Sequence, residues 1–208
     1  MLREGWRLTR LINNFLDLQG LENGADRMML TPTPLAARAV RAVGADAASP
    51  IIVDLPDDLP LVLADAPRIE DVLVNLLSNA RKYSPTGGDI RVALHREDGH
   101  LQVAVSDHGQ GIPADALPRL FEKFYRVDNS DGRTTMGAGL GLAVVRSTVE
   151  AHGGQMRAES AGAQQGSMFA FTLLVAKAPT APPSAAAAEA TQSATPSGAD
   201  ILVVQEES

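Results

Sequence analysis

The 208-residue chain contains no cysteine. That excludes a disulfide-stapled scaffold and any thiolate metal centre, and it suits a reducing compartment. Basic residues are outnumbered, with 18 Lys+Arg against 25 Asp+Glu for a formal net charge of -7, which argues against a general affinity for nucleic acid. No run reaches the ~18 apolar residues of a membrane span, and the N-terminus lacks the apolar core of a signal peptide. No membrane contact is therefore expected from this segment. Aromatics are scarce at 4%, so any local concentration of them is informative. What is present, 45% apolar and 21% charged residues, is a globular composition, with length for one domain of roughly 100–150 residues plus extras.

Composition divides the chain. Residues 1–23 read as one amphipathic helix: Leu8, Leu11, Phe15 and Leu18 alternate at spacings of three and four, with Leu2, Ile12 and Leu16 widening the face. Asn23-Gly24 stops it. Such a rod would be ~33 Å long, either a surface helix on the following domain or a bundle helix that pairs with a partner. Residues 28–175 form the globular body. Thr33-Pro34 opens a helix ending at Gly44, Ile51–Leu55 and Leu61–Leu63 read as short strands, and residues 67–83 repeat with helical period. Ile90–Leu94 and Leu101–Val105 form a hairpin across Asp98-Gly99. A long polar stretch from Asp107 to Gly139 precedes a helix at Gly141–His152, and strands near Gln155–Ala158 and Met168–Val175 complete an α+β pattern. Residues 176–200, rich in Ala, Pro, Ser and Thr, read as a linker. The terminal Ile201–Val204 reads as a strand of a further domain or as a fortuitous apolar end.

Four clusters carry chemistry. Asn75 and Asn79 stand four apart on one helix face with Lys82 close by; amide oxygens are hard Mg²⁺ ligands that add no negative charge beside a polyphosphate, although a solvated polar face would look the same. Asp107-His-Gly109-Gln-Gly111 follows a strand, where the carboxylate can accept from an amino group such as adenine's, or simply close a turn. Gly137-Ala-Gly139-Leu140-Gly141 precedes a helix, a place where backbone N–H groups bind phosphate. It is neither the dinucleotide fingerprint, since Leu142 stands where glycine is required, nor a Walker loop, since Ala138 and Gly139 replace Lys and Ser/Thr. Phe121, Phe124 and Tyr125 crowd within five residues of the long loop, as anchors onto the core or as part of a site.

In this order the four clusters resemble the N box, first glycine box, F box and second glycine box of the catalytic and ATP-binding domain of sensor histidine kinases. The resemblance covers about residues 30–175, and His152-Gly153-Gly154 is similar to the usual end of that domain's last helix. Arg7 to Gly24 resembles the second helix of the preceding dimerisation domain. The resemblance implies a two-layer α+β sandwich, the Bergerat (GHKL) fold, with a mixed sheet of about five strands and helices on one face. It implies ATP and Mg²⁺ as ligands. Asp107 would contact adenine, with Gly109 and Gly111 shaping that side and Tyr83 flanking the nucleotide. Asn79 would ligate Mg²⁺, Asn75 and Lys82 would approach the phosphates or the metal, and Gly137, Gly139, Leu140 and Gly141 would form the hinge of a lid spanning about Pro113–Thr135. Arg126 would reach the γ-phosphate on closure.

One family feature is absent. The phosphoacceptor, a histidine followed by an acidic residue on the first dimerisation helix, matches none of His95, His100, His108 and His152. The resemblance therefore implies a kinase domain that acts on a histidine-bearing dimerisation domain, as a homodimer in the full protein. A response regulator would be the further partner, and the setting cytoplasmic, with the full-length protein soluble or membrane-anchored. Two other readings are an inactive nucleotide-binding module and an ATPase clamp of the same fold. The clamps carry Glu, which activates water, where this chain has Asn75. Residues 201–208 are similar to the first strand of a receiver domain, with Gln205 in place of the first acidic residue.

Overall fold

The computed structural model describes residues 12, 16, 18–21, 28–44, 51–85, 87–127 and 138–176. The chain divides into two units, Met1–Ala176 and Lys177–Ser208. The second unit, with the expected linker and terminal strand, lies outside the described residues, and so do most of the N-terminal positions.

The first unit has two layers. Five strands, β2 (Ile51–Asp54), β4 (Ile90–Glu97), β5 (His100–Asp107), β6 (Met156–Glu159) and β7 (Ser167–Leu174), form a mixed sheet in the order β2-β4-β5-β7-β6. Only the β2–β4 pair is parallel. The helices α1 (Leu35–Gly44), α2 (Ala66–Tyr83) and α3 (Gly141–Ala151) cover one face. Strand periodicity makes this arrangement possible: Leu101, Val103 and Val105 of β5 and Phe169, Phe171 and Leu173 of β7 all turn to the helices. The pair Asp107 and Ser167 continues those two rows at the sheet's end.

The longest helix, α2, has the clearest sequence cause. Ile69, Val72, Leu73, Leu76, Leu77 and Ala80 are all buried, and the larger of these side chains contribute about 1.5–3 kcal/mol each. Asp65 caps its start by accepting from the Arg68 N–H, Pro67 occupies its first turn, and Arg81 and Lys82 complement its C-terminal dipole. Arg38 of α1 pairs with Glu70 of α2 at 3.1 Å.

Two expectations are corrected. Residues 31–33 are a strand, β1 (Thr31–Thr33), so α1 begins at Leu35 and Pro34 stands outside it. The strand near 61–63, β3 (Val62–Ala64), does not join the main sheet but pairs with β1. The Thr33 hydroxyl donates to Ala64 O at 3.2 Å, a long-range contact that local pattern cannot reveal. In the N-terminal helix, residues 12, 16 and 18–21 are helical, with Leu18 fully buried while Ile12 and Leu16 are 48% and 60% exposed.

Candidate nucleotide site

Asp107, the last residue of β5, is buried and its carboxylate is held from three sides. Oδ1 accepts from the Gly109 N–H at 2.8 Å and from the Ser84 hydroxyl at 3.4 Å, and Oδ2 accepts from the Ser167 hydroxyl at 2.6 Å. The arrangement fixes the carboxylate's direction while leaving lone pairs for a ligand. Gly109 is needed for close approach, because a Cβ there would collide with the Tyr83 carbonyl oxygen and stand 2.6 Å from Ser84 Oγ. The Gln110 N–H donates to that same carbonyl at 2.9 Å. The end of α2 and the glycine turn are thereby one unit, which joins Tyr83 to Asp107. A cleft of about 630 Å³ opens beside Asp107, walled by Ser106, His108, Leu117, Glu159 and Ser167 among others. Asn75, Asn79 and Lys82 do not line it; they belong to the α2 side of the carboxylate.

Along α2, Asn75 and Asn79 are half-buried one turn apart. The Asn75 Nδ2 donates to Asp71 O at 3.0 Å, so its Oδ1 turns to the glycine segment, where it would stand 3.6 Å from a Cβ on Gly141. Asn79 makes no side-chain hydrogen bond to a described residue. Lys82 Nζ donates to the Tyr83 hydroxyl at 3.1 Å and lies 4.7 Å from the Tyr83 ring centroid. The Asn75 Oδ1 and the Asn79 amide are oxygen donors of the kind Mg²⁺ takes, beside backbone suited to phosphate.

Of the expected lid, the stretch up to Val127 lies within the described residues. Ile112, Ala116 and Leu120 are buried and Leu117, Phe121, Tyr125 and Val127 pack against the core, around a short 3-10 turn at Leu117–Arg119. The stretch to Val127 is therefore anchored rather than free. The aromatics do this, and Arg119 stacks 4.3 Å from the Tyr125 ring centroid. Phe124 differs: it is 60% exposed with φ +64, and its N–H donates to Gly139 O at 2.9 Å. Gly139 has φ +71, and a Cβ on it would stand 2.7 Å from the Phe124 carbonyl carbon. Leu140 is buried beneath. Arg126 is exposed, and residues 128–137, Gly137 included, lie outside the described residues.

His152, read from the sequence only as the end of a helix, is buried. Its Nδ1 faces Thr148 O at 2.7 Å and its Nε2 accepts from the Asp65 N–H at 3.0 Å. The first contact makes Nδ1 the protonated nitrogen and the second requires a bare Nε2, so the ring is neutral. Burial is the main cause that holds its pKa below 6.5, opposed by the Thr148 carbonyl and the Asp65 charge. It joins the end of α3 to the cap of α2. His95 and His108 are exposed and His100 is half-buried; none of the three lies on a helix.

Sequence reasoning missed Ser84, Ser160 and Ser167. Serine is an ordinary turn residue, and these three gain meaning only from the β5–β7 register and the α2 C-terminus.

A family model described as histidine kinase-, DNA gyrase B-, and HSP90-like ATPase matches residues 64–177. The adaptive-response sensory kinase SasA of Nostoc sp. strain PCC 7120 is 43% identical over 129 residues, covering 62% of this chain and 31% of the relative. The sensor-like histidine kinase SenX3 of Mycolicibacterium smegmatis is 34% identical over 187 residues, 86% of this chain and 47% of the relative. The chain thus spans less than half the length of either. Among solved structures, full-length ShkA in complex with AMPPNP superposes with a TM-score of 0.73 at 28% identity, covering 85% of this chain and 38% of that one.

Proposed function

The chain belongs to the histidine kinase-, DNA gyrase B-, and HSP90-like ATPase family, on its sensor histidine kinase branch, and from that premise we propose that it transfers the γ-phosphoryl group of Mg²⁺-ATP to a histidine on a dimerisation domain. The observation that carries the reading is the buried Asp107 carboxylate, fixed by Gly109 and Ser167 beside a helix that bears two amides in place of acids. Asp107 accepts a hydrogen bond from the adenine amino group. Asn79 and the Asn75 Oδ1 would hold Mg²⁺, which would supply charge screening for the phosphates. Lys82 leaves Tyr83 for a phosphate oxygen, Tyr83 flanks the nucleotide, and Gly111 shapes the adenine side. The N–H groups of the 137–141 segment border the phosphates, and Arg126 approaches the γ-phosphate.

Transfer of this kind depends on positioning and charge neutralisation. Asn75 lacks the carboxylate that a water-activating clamp needs, which favours the kinase reading. Residues 1–23 act as the second helix of a dimerisation domain and residues 176–200 as a linker. The partners are a dimeric acceptor domain and a response regulator, in the cytoplasm where ATP is supplied. Among the described residues no helix is long and apolar enough to cross a membrane.

Calorimetric titration with Mg²⁺-ATP tests the site. Asp107→Ala removes a charge-assisted hydrogen bond of roughly 1.5–3 kcal/mol, hence about 10–100-fold in affinity. Asn79→Ala raises the Mg²⁺ concentration that ATP binding requires. Wild-type affinity in Asp107→Ala refutes the adenine assignment.

A further inference from the structure

The glycine turn that supports Asp107 is itself held by a segment with no part in the proposed mechanism. Ser160 opens the β6–β7 turn, half-buried, one residue past β6. Its Oγ accepts from the Ile112 N–H at 3.0 Å and from the Gly162 N–H at 3.3 Å, and donates to Gly166 O at 2.6 Å. A hydroxyl has one proton and two lone pairs, so all its capacity is spent on backbone from two separate turns.

The same two turns interlock around it. Gln164 N–H donates to Gln110 O at 2.7 Å and Gly166 N–H to Gly109 O at 3.1 Å. Gly111, at φ +66, lies so close to Gly162 O that a Cβ would collide with it. The turn fixed from outside is the one whose Gly109 N–H grips Asp107 Oδ1, and the loop that fixes it ends at Ser167, which grips Oδ2. Ser160 also lines the cleft beside Asp107.

We propose that Ser160 is a positioning residue for base recognition, aiming the Asp107 carboxylate through the Gly109–Ile112 turn and so setting the preference for adenine over guanine. The chemistry of the preference is simple. A directed carboxylate accepts from the adenine amino group and repels the guanine carbonyl at the same place, whereas a carboxylate free to turn discriminates less. The inference rests on the nucleotide reading above.

The test is displacement of a fluorescent ADP analogue from the full chain by ATP and by GTP, in Mg²⁺. Wild type prefers ATP. Ser160→Ala weakens ATP binding by about 5–20-fold, the scale of one or two hydrogen bonds, and weakens GTP less, so the ATP/GTP ratio falls. Ser160→Thr, which keeps Oγ, restores the ratio. Thr172→Val serves as a control, since it removes a side-chain acceptor for the Gln155 N–H elsewhere on the sheet and leaves the ratio unchanged. A Ser160→Ala chain that does not fold, or that loses ATP and GTP affinity equally, assigns Ser160 to the fold alone and overturns the proposal. Unchanged affinities in Ser160→Ala overturn it while leaving the nucleotide site standing. A wild-type chain that binds neither nucleotide overturns both.

Discussion

Replacing His152 by alanine removes the acceptor for the Asp65 N–H and the donor to Thr148 O in a place where water does not replace them, since the ring is only 2% exposed. One stranded buried donor costs about 1–3 kcal/mol, and the volume left by the ring adds to it, for a total of roughly 2–4 kcal/mol. A pH signature accompanies the loss. Burial lowers the folded-state pKa below 6.5, so above pH 6.5 the ring is neutral in both states and its contribution is fully present. As the pH falls below 6.5 the unfolded chain takes up the proton first, and wild type loses up to about 1.4 kcal/mol per pH unit until the folded ring also protonates. His152→Ala lacks that increment. Urea unfolding followed by circular dichroism at pH 7.5 and pH 5.5 reads both effects. Equal midpoints for wild type and variant at pH 7.5, or parallel losses between the two pH values, would refute the assignment of His152 as a neutral tie between α3 and α2.

Gly109→Ala forces a methyl into the Tyr83 carbonyl oxygen, and overpacking against backbone costs about 1–3 kcal/mol; the chain should melt lower and bind ATP at least about 10-fold more weakly by calorimetry. Arg146→Gln breaks the 2.7 Å pair with Glu150 and the 5.8 Å contact with the Phe121 ring on the exposed side of α3, together about 1 kcal/mol, so its melting temperature should fall by no more than about 4 °C.

The helix that carries Asn75 and Asn79 was legible because its causes are local: a six-residue apolar stripe, a capping aspartate, a proline in the first turn and a proline after the end. Asp107 was legible as a strand-end acid before a glycine turn. What surrounds it was not. Ser84 reaches the site from the end of α2 and Ser160 and Ser167 from the β6–β7 turn, and their hydrogen bonds exist only once α2 is packed and β5 and β7 are in register. His152 is similar: as a letter it ends a helix, and its burial against Asp65, 87 residues away, comes from the packing of α3 on α2. The β1–β3 pair was missed because three-residue strands carry too little pattern to reveal their partner. The long loop was legible in part, since its crowded aromatics pointed to anchoring and Phe121 and Tyr125 do pack on the core, while the burial of Ile112, Ala116 and Leu120 carries no local signal.

Phosphoryl transfer tests the central claim most directly. The full chain is incubated with γ-labelled ATP and Mg²⁺, with and without a purified histidine-bearing dimerisation domain from a related kinase. The account predicts acid-labile, alkali-stable label on the supplied domain alone, at a slow rate because the two proteins are not covalently linked and the high effective concentration of a link is absent, and about 10–100-fold slower in Asp107→Ala at limiting ATP. Label on this chain in the absence of the supplied domain, or release of inorganic phosphate with no label on either protein, would contradict it.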